Sequence, residues 1–351
     1  MRILFHDLST DLETVKDLEH KGRGGRVGSL FKVSDYLAWR GHKVTVISDI
    51  KGTGVTDHGV IWDHEAYGEY DCLVTNRGTG DGYPQIKAKS RILWTHDLPH
   101  SGFIPEPKTI RGFDATVFMS RYGERVWRTF YRDIGRSVII PNGVTQAIFH
   151  PRDKDLDYLI FASAANRGAD KLEFIFDCIR ERVKRPGLRL HAYTGNSLHP
   201  GEGDYDHNQN LKDGFTLGYD TDTSSVTWCD PVPQKELAQQ LGQAGLMIMP
   251  TCFPEICSNI VLQSLSCGTP VITTGGMGAT PEWVKHKKNG MLTEFMTNDY
   301  MVHIVEMIRN TCLVLENEKL HRKMIKRAGK TKVLSWKKVG EKWESLINRF
   351  A

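Results

Sequence analysis

The chain has no run of about 18 apolar residues, which excludes a conventional membrane-spanning helix and leaves only peripheral contact with a membrane. Paired cysteines are missing too. The seven present (Cys72, Cys178, Cys229, Cys252, Cys257, Cys267 and Cys312) are odd in number and contain no C-x-x-C. Most sit inside apolar runs, which predicts reduced, packed thiols of a cytoplasmic protein rather than a disulfide framework. Cys252 and Cys257 flank a loop, but no histidine stands beside them at zinc-finger spacing. Charge of one sign is also scarce, and a formal net charge of +4 is too small to argue for a nucleic-acid partner by itself. No internal repeat occurs at solenoid spacing. The opening Met1-Arg-Ile-Leu-Phe5 is strand-like and too short for a signal peptide, so a cytoplasmic setting is expected.

The rest of the composition is that of an ordinary globular protein, 40% hydrophobic and 25% charged, and 351 residues suit two domains. Short apolar runs alternate with helical patterns. Ile3–Phe5, Val44–Ile47, Cys72–Val74, Ile92–Trp94, Thr116–Met119 and Val138–Ile140 are continuous rather than alternating, as strands buried on both faces require. Val27, Leu30, Phe31, Val33 and Leu37 predict a helix between the first two, stopped at Gly41. Ser120 predicts an N-cap for a helix through Trp127. The second half repeats the scheme, with strands at Leu159–Ala162, Leu190–Tyr193, Leu246–Met249 and Val271–Ile272 and a helix from about Ser258 to Cys267. The fold class is therefore α/β, with two Rossmann-like, doubly wound parallel sheets. The Pro-, Asn-, Gly- and Asp-rich loop from Pro141 to Asp157 separates a first domain, 1–150, from a second, 151–334. Residues 197–225 predict an extended polar surface loop, and 335–351 an amphipathic helix.

Ligands of such sheets bind at the carboxyl ends of the strands, so chemistry is sought just after each apolar run. After Met249 comes Pro250-Thr-Cys-Phe-Pro-Glu255-Ile-Cys-Ser258-Asn259-Ile260, a loop with one carboxylate that opens a new helix. Its first N–H groups and dipole favour an anion, and Glu255 stands where a sugar hydroxyl could be gripped. The plain alternative is an N-cap serine beside a surface glutamate. After Ala162, Asn166-Arg167-Gly168-Ala-Asp-Lys171 puts a planar guanidinium and a point charge in one glycine-bearing loop. That pair suits a diphosphate; a solvated basic loop is the alternative. After Trp94, His96 is a candidate hydrogen-bonding or proton-relay group. His100 lies four residues on, but Pro99 argues against a helical metal pair. Lys21-Gly-Arg23-Gly24-Gly25-Arg26 precedes the first helix and permits close backbone approach to a ligand, although it is not a dinucleotide fingerprint.

Together these segments resemble retaining glycosyltransferases of family four, the group 1 type, over nearly the whole chain. The resemblance rests on Gly24-Gly25 with the following helix and Leu37-Ala-Trp-Arg-Gly41-His42-Lys-Val44. It rests also on Ile140-Pro141-Asn142-Gly143-Val144 with Phe149-His-Pro151, on the strand–Glu–helix–Cys-Gly-Thr-Pro-Val segment at 246–272, and on Gly275-Gly276, Pro281-Glu282 and Asn289-Gly290. It implies a GT-B fold, two domains facing a cleft, with the Ser335-Trp336 helix crossing back to the N-terminal domain. It also implies a nucleoside-diphosphate sugar as donor substrate, a hydroxyl acceptor (glycan, lipid-linked or modified nucleic acid), no cofactor and no metal.

Residue by residue, the resemblance assigns Arg167 and Lys171 to the donor diphosphate. Ser258 opens the helix whose amides near Asn259 and Ile260 bind phosphate oxygens. Glu255 holds hydroxyls of the transferred sugar, His96 lies near the reacting carbon or the acceptor, and Gly25 approaches the phosphate from the other domain. Val232, in Asp230-Pro-Val232, lies near the nucleobase. Gln263 stands where the family carries a second glutamate, eight residues after the first, that contacts ribose hydroxyls; an amide can donate and accept there.

Residues 319–338 hold nine Lys or Arg and no Asp or Glu. A solvated helical face explains them, and docking to an anionic membrane surface or to nucleic acid is the sharper alternative. Asp204-Tyr-Asp206 and Asp220-Thr-Asp222 match the metal-holding D-x-D of another glycosyltransferase class, but both lie in the polar loop rather than after a buried strand. Three other functions stay open on these residues: a DNA-base glycosyltransferase, a sugar-nucleotide epimerase, and a non-catalytic nucleotide-sugar-binding protein.

Overall fold

The computed structural model describes residues 1–7, 14–16, 25–76, 86–99, 105–194, 224–276, 278–293 and 300–350. In chain order the first elements are β1 (Arg2–Asp7), α1 (Gly25–Trp39), β2 (Lys43–Ile47), β3 (Gly54–Val55), β4 (Ile61–Asp63), β5 (Gly68–Asn76) and β6 (Ile86–Trp94). Next come α2 (Pro107–Ile110), β7 (Ala115–Phe118), α3 (Arg121–Phe130), β8 (Ser137–Ile139), β9 (Asp155–Ala162), α4 (Leu172–Val183), β10 (Arg189–Tyr193) and β11 (Val226–Cys229). The chain ends with α5 (Gln234–Gln243), β12 (Ala244–Met249), α6 (Asn259–Ser266), β13 (Val271–Thr274), β14 (Gly290–Thr293), α7 (Tyr300–Glu316), α8 (Glu318–Ala328) and α9 (Trp336–Phe350).

These elements divide into two units: Met1–Gly143 with Leu334–Ala351, and Val144–Val333. Unit 1 is built on an eight-stranded sheet of order β3-β4-β2-β1-β5-β6-β7-β8, parallel except for the short β3–β4 pair. Unit 2 is built on a six-stranded, all-parallel sheet of order β11-β10-β9-β12-β13-β14. Parallel strands are joined by crossovers that lay helices on the faces, which is why the strand interiors are apolar on both sides.

In unit 1, alternate residues Ile3 and Phe5, Val44 and Val46, Cys72 and Val74, and Ile92 and Trp94 share one core with α1 and α9. The opposite face carries Leu93 and Phe118 against Ile110, Trp127, Tyr131 and Ile134. Ser120 caps α3 as expected, its hydroxyl accepting from the Gly123 N–H at 3.0 Å. The amphipathic α9 buries Val339, Gly340, Trp343, Leu346 and Ile347. Trp343 is fully buried, edge-on to Phe5 at 6.5 Å between ring centroids and tilted against Trp94 at 4.6 Å. Gly340 lets α9 approach α1, because a Cβ there would fall 2.2 Å from the Tyr36 ring.

Unit 2 packs Leu159, Phe161, Leu190, Leu246, Ile248 and Ile272 against residues of α4, α7 and α8. The helices α5 and α6 lie together against β12 and β13. Within the basic run, residues 319–333 belong to unit 2 and 334–338 to unit 1. On α8 it forms an exposed face, where Arg322 pairs with Glu318 at 2.6 Å, while Met324 and Ala328 point inward. His321 is on the buried side, its Nε2–H donating to the Gly245 carbonyl at 2.7 Å.

Two measurements test this packing. Trp343→Ala is expected to destabilise the chain by about 3–5 kcal/mol, read as a lower urea midpoint. Burial lowers the pKa of His321 from 6.5, so the unfolded chain takes up a proton that the folded chain resists. The contribution of the neutral ring is full above pH 6.5 and is lost as the pH falls below it. Stability should therefore fall as the pH drops below about 6.5, and by less in His321→Gln, in paired urea titrations.

Candidate functional site

A parallel sheet wound outward in both directions has one point where adjacent loops diverge and open a crevice at the strand ends. In unit 2 the chain lays down β9, β10 and β11 to one side, then returns to lay down β12, β13 and β14 on the other. The divergence therefore falls between β9 and β12. The loop after β9 carries Arg167 and Lys171; the loop after β12 carries Glu255.

Arg167 and Glu255 meet there. Arg167 Nε lies 2.6 Å from Glu255 Oε1, with the two side chains 18% and 16% exposed. Arg167 Nη1 donates to Asn166 Oδ1 at 2.5 Å, and the guanidinium lies 3.6 Å from the centroid of the Phe253 ring. A guanidinium has five N–H donors, so these bonds hold the group while leaving donors for a further anion.

The backbone explains why the pair is so well fixed. Gly168 closes the turn after Arg167 with φ 96°, and a Cβ at that residue would stand 2.0 Å from the Pro250 carbonyl oxygen. Gly278, at φ +77°, comes equally close to Glu255, where a Cβ would meet the backbone O at 2.5 Å and N at 2.6 Å. Only glycine combines that backbone conformation with that approach. Ala279 N–H donates to the Glu255 carbonyl at 2.6 Å, and Glu255 N–H donates to the Phe253 carbonyl at 2.8 Å. Thr251 ties the same loop down. Its Oγ1 accepts from Phe253 N–H at 3.0 Å, and its carbonyl accepts from Thr274 Oγ1 at 2.6 Å.

Lys171 ends the loop after β9, ion-paired with Asp170, with its Nζ 5.6 Å from the centroid of the Tyr300 ring. Tyr300 in turn donates to the Pro250 carbonyl at 2.7 Å. Burial pushes the Tyr300 phenol and the Cys252 thiol above their usual pKa ranges, so both are neutral and protonated at pH 7. Helix α6 opens immediately beyond Glu255. Ser258 occupies its N-cap position but makes no side-chain capping bond, in contrast to Ser120. The first turn of α6, at Asn259 and Ile260, has the anion-attracting dipole of a helix N-terminus. One turn on, Gln263 Nε2 donates to Gln234 Oε1 at 3.1 Å, linking α6 to the start of α5. Val232, two residues before Gln234, is half-buried.

Eight of the ten sequence-predicted residues therefore lie in unit 2, and Gly25 and His96 lie in unit 1. Gly25 opens α1, its carbonyl accepting from Ser29 Oγ at 2.5 Å, with Asn142 Oδ1 2.9 Å from the same hydroxyl. His96 follows β6, 8% exposed, its ring 4.5 Å from that of Trp94. Gly24, His100 and the two D-x-D segments lie outside the described residues.

Sequence reasoning missed a second charged pair. In unit 1 the winding reverses between β1 and β5. There Asp7 Oδ1, fully buried, pairs with Arg26 Nη1 at 2.7 Å and accepts from Asn76 Nδ2 at 3.0 Å. The signal was present in Arg26, directly after Gly24-Gly25, and in Asp7 at the end of the first apolar run. Missed too were Phe253 and Tyr300, the aromatic faces against which Arg167 and Lys171 rest. Among the described residues no cluster of His, Cys, Asp or Glu could hold a metal ion, and no helix is long and apolar enough to cross a membrane.

Solved structures share this architecture. Sucrose-phosphate synthase from Thermosynechococcus elongatus superposes with a TM-score of 0.75 at 14% identity, over 99% of each chain. Anabaena HepE in complex with UDP-glucose gives 0.71 at 13% identity, over 99% of this chain and 100% of that one. WaaG, a glycosyltransferase involved in lipopolysaccharide biosynthesis, gives 0.67 at 12% identity, over 98% and 99%. No curated protein matches the chain. The fold is that of the GT-B glycosyltransferases, and residues 157–310, which include Arg167, Lys171, Glu255 and Gln263, match the family described as Glycosyl transferases group 1.

Proposed function

We propose that the chain moves a sugar from a nucleoside-diphosphate sugar to a hydroxyl acceptor, with retention at the anomeric carbon and without a metal, as retaining family four does. The observation that carries this is the Arg167–Glu255 pair at the β9/β12 divergence, a cation suited to a diphosphate one hydrogen bond from a carboxylate suited to sugar hydroxyls. The family match over 157–310 supports the reaction class, and the UDP-glucose bound by HepE supports the donor class.

In this scheme Arg167, Lys171 and the first-turn amides of α6 offset the charge that builds on the diphosphate as it leaves. They supply the positive charge that a metal would otherwise bring. Glu255 accepts hydrogen bonds from hydroxyls of the transferred sugar and so orients the anomeric carbon. The acceptor oxygen bonds to that carbon on the face from which the diphosphate departs, and the acceptor proton passes to the departing phosphate oxygen. Gln263 takes ribose hydroxyls by exchanging its bond to Gln234, and Val232 borders the nucleobase. The seven free thiols support a reducing, cytoplasmic setting.

Titration calorimetry with UDP, GDP and ADP is expected to find one nucleotide bound in the micromolar range. Arg167→Ala/Lys171→Ala should weaken that binding by about 100-fold, the loss of two charge-assisted contacts. Failure of all three to bind the wild-type chain would sink the proposal. Glu255→Ala should abolish sugar transfer while the nucleoside diphosphate binds within about threefold of wild type, a difference under 1 kcal/mol. Wild-type turnover in that variant would remove Glu255 from its role. Gly278→Ala, which displaces Glu255 without removing it, should lower turnover in the same assay.

A further inference from the structure

Unit 1 carries a groove of about 360 Å³ that the proposed reaction does not use, set between the edge strand β8 and helix α9. Its floor is Val138, Ile139 and Ile140 with Leu334 and Leu346, and its rim is the exposed flank of α9, Lys338, Lys342, Ser345 and Arg349. The rim has one carboxylate, Glu341, already bound to Lys338 at 2.6 Å. Lys342 and Arg349 pair with no carboxylate among the described residues, so the groove is apolar below and cationic above.

Among the described residues the floor is also an open sheet edge. Strand β8 pairs with β7 in parallel, with Thr116 N–H donating to the Arg136 carbonyl and Ile140 N–H to the Phe118 carbonyl. Backbone groups of alternate residues point to opposite sides of a strand, so those of Ser137 and Ile139 point outward. Proteins blunt such edges with proline, bulges or charges on the strand itself. Ser137-Val138-Ile139 has none of these within it; only its shortness and the flanking Arg136 and Pro141 limit the edge, which leaves the outward groups of Ser137 and Ile139 for a short ladder.

We propose that this groove docks an extended acidic peptide segment of a partner protein, which adds beside β8 as a further strand. Strand addition satisfies the outward N–H and C=O groups, and every second side chain of the newcomer then faces the α9 flank. Acidic residues at those positions would meet Lys342 and Arg349. A second copy of this chain pairing through its own β8 would instead bring two sets of these cations together. An anionic membrane surface matches the charge but offers nothing regular to the backbone groups of Ser137 and Ile139.

The test uses the full chain and a fluorescein-labelled eight-residue peptide of alternating Val and Glu, followed by anisotropy at low salt. Saturable binding is expected, weakened at least about tenfold by Lys342→Glu/Arg349→Glu, about 1.4 kcal/mol. The same peptide N-methylated at every peptide nitrogen should lose binding to the same degree, since it keeps its charge but has no N–H on either edge with which to form the ladder. Ile139→Pro should act likewise, because it removes an outward N–H and leaves the bonds to β7 in place. Absence of binding, equal binding of a Val–Lys peptide, or equal binding of the N-methylated peptide would overturn the proposal. So would capture by phosphatidylglycerol vesicles, lost in the charge-reversed variant, with no peptide binding.

Discussion

The reversal of winding at the centre of each sheet is the constraint on which the rest depends. Between β9 and β12 the connections leave in opposite directions, so their loops cannot cover each other and polar side chains can meet at the strand ends. Arg167 and Glu255 fill that position in unit 2. With both side chains less than a fifth exposed, desolvation takes back much of what a 2.6 Å ion pair returns, so stability is a weak reason for their presence. Two glycine contacts and a set of backbone hydrogen bonds nevertheless hold the pair rigidly. Such investment in local geometry is what a binding site needs, because side chains that orient a ligand must already be in place before it arrives.

Unit 1 repeats the device with its parts exchanged. There the carboxylate, Asp7, ends the first strand, and the guanidinium, Arg26, comes from the first turn of the following helix. In unit 2 the guanidinium follows the first strand, and the carboxylate comes from the loop across the divergence. Asp7 is fully buried and held additionally by Asn76, so it serves chiefly to position Arg26. Glu255 is partly open to solvent. The same chemical pair is thus sealed in one unit and partly open in the other, and burial of the carboxylate distinguishes the two.

Much of this was legible in the residues. The buried strands β1, β2, β5, β6, β9, β12 and β13 announce themselves as continuous apolar runs, because parallel strands covered on both faces have no polar side to show. Strands β3 and β4 do not, being short, glycine-flanked and exposed at Val55 and Ile61. Helix α7 was hidden for the opposite reason. It buries Ile304, Met307, Val314 and Leu315 yet also exposes Met301, Val302, Val305 and Leu313, so no single stripe stands out. The loops bearing Arg167 and Glu255 could be found by their position after apolar runs. That the two side chains bond each other could not, because their contact spans 88 residues and depends on strand order. Ser258 opens α6 at its N-cap position, but its hydroxyl makes no capping bond, a detail that the sequence pattern does not carry.

Charge along the chain is a poor guide to charge in space. The nine cations of 319–338 read as one surface in the sequence, yet the division at Val333/Leu334 assigns them to different units. On α8 they line a solvated face, with one of them neutralised by a carboxylate four residues earlier. On α9, Lys338 belongs instead with Lys342 and Arg349, a set spaced along one helical flank and unremarkable in linear order. What gives that flank meaning is β8, nearly 200 residues earlier in the chain, whose open edge lies beneath it. The return of α9 to unit 1, secured by Trp343 between Phe5 and Trp94, creates the groove. A recognition surface can therefore arise from the same packing that completes a core, with no motif to mark it.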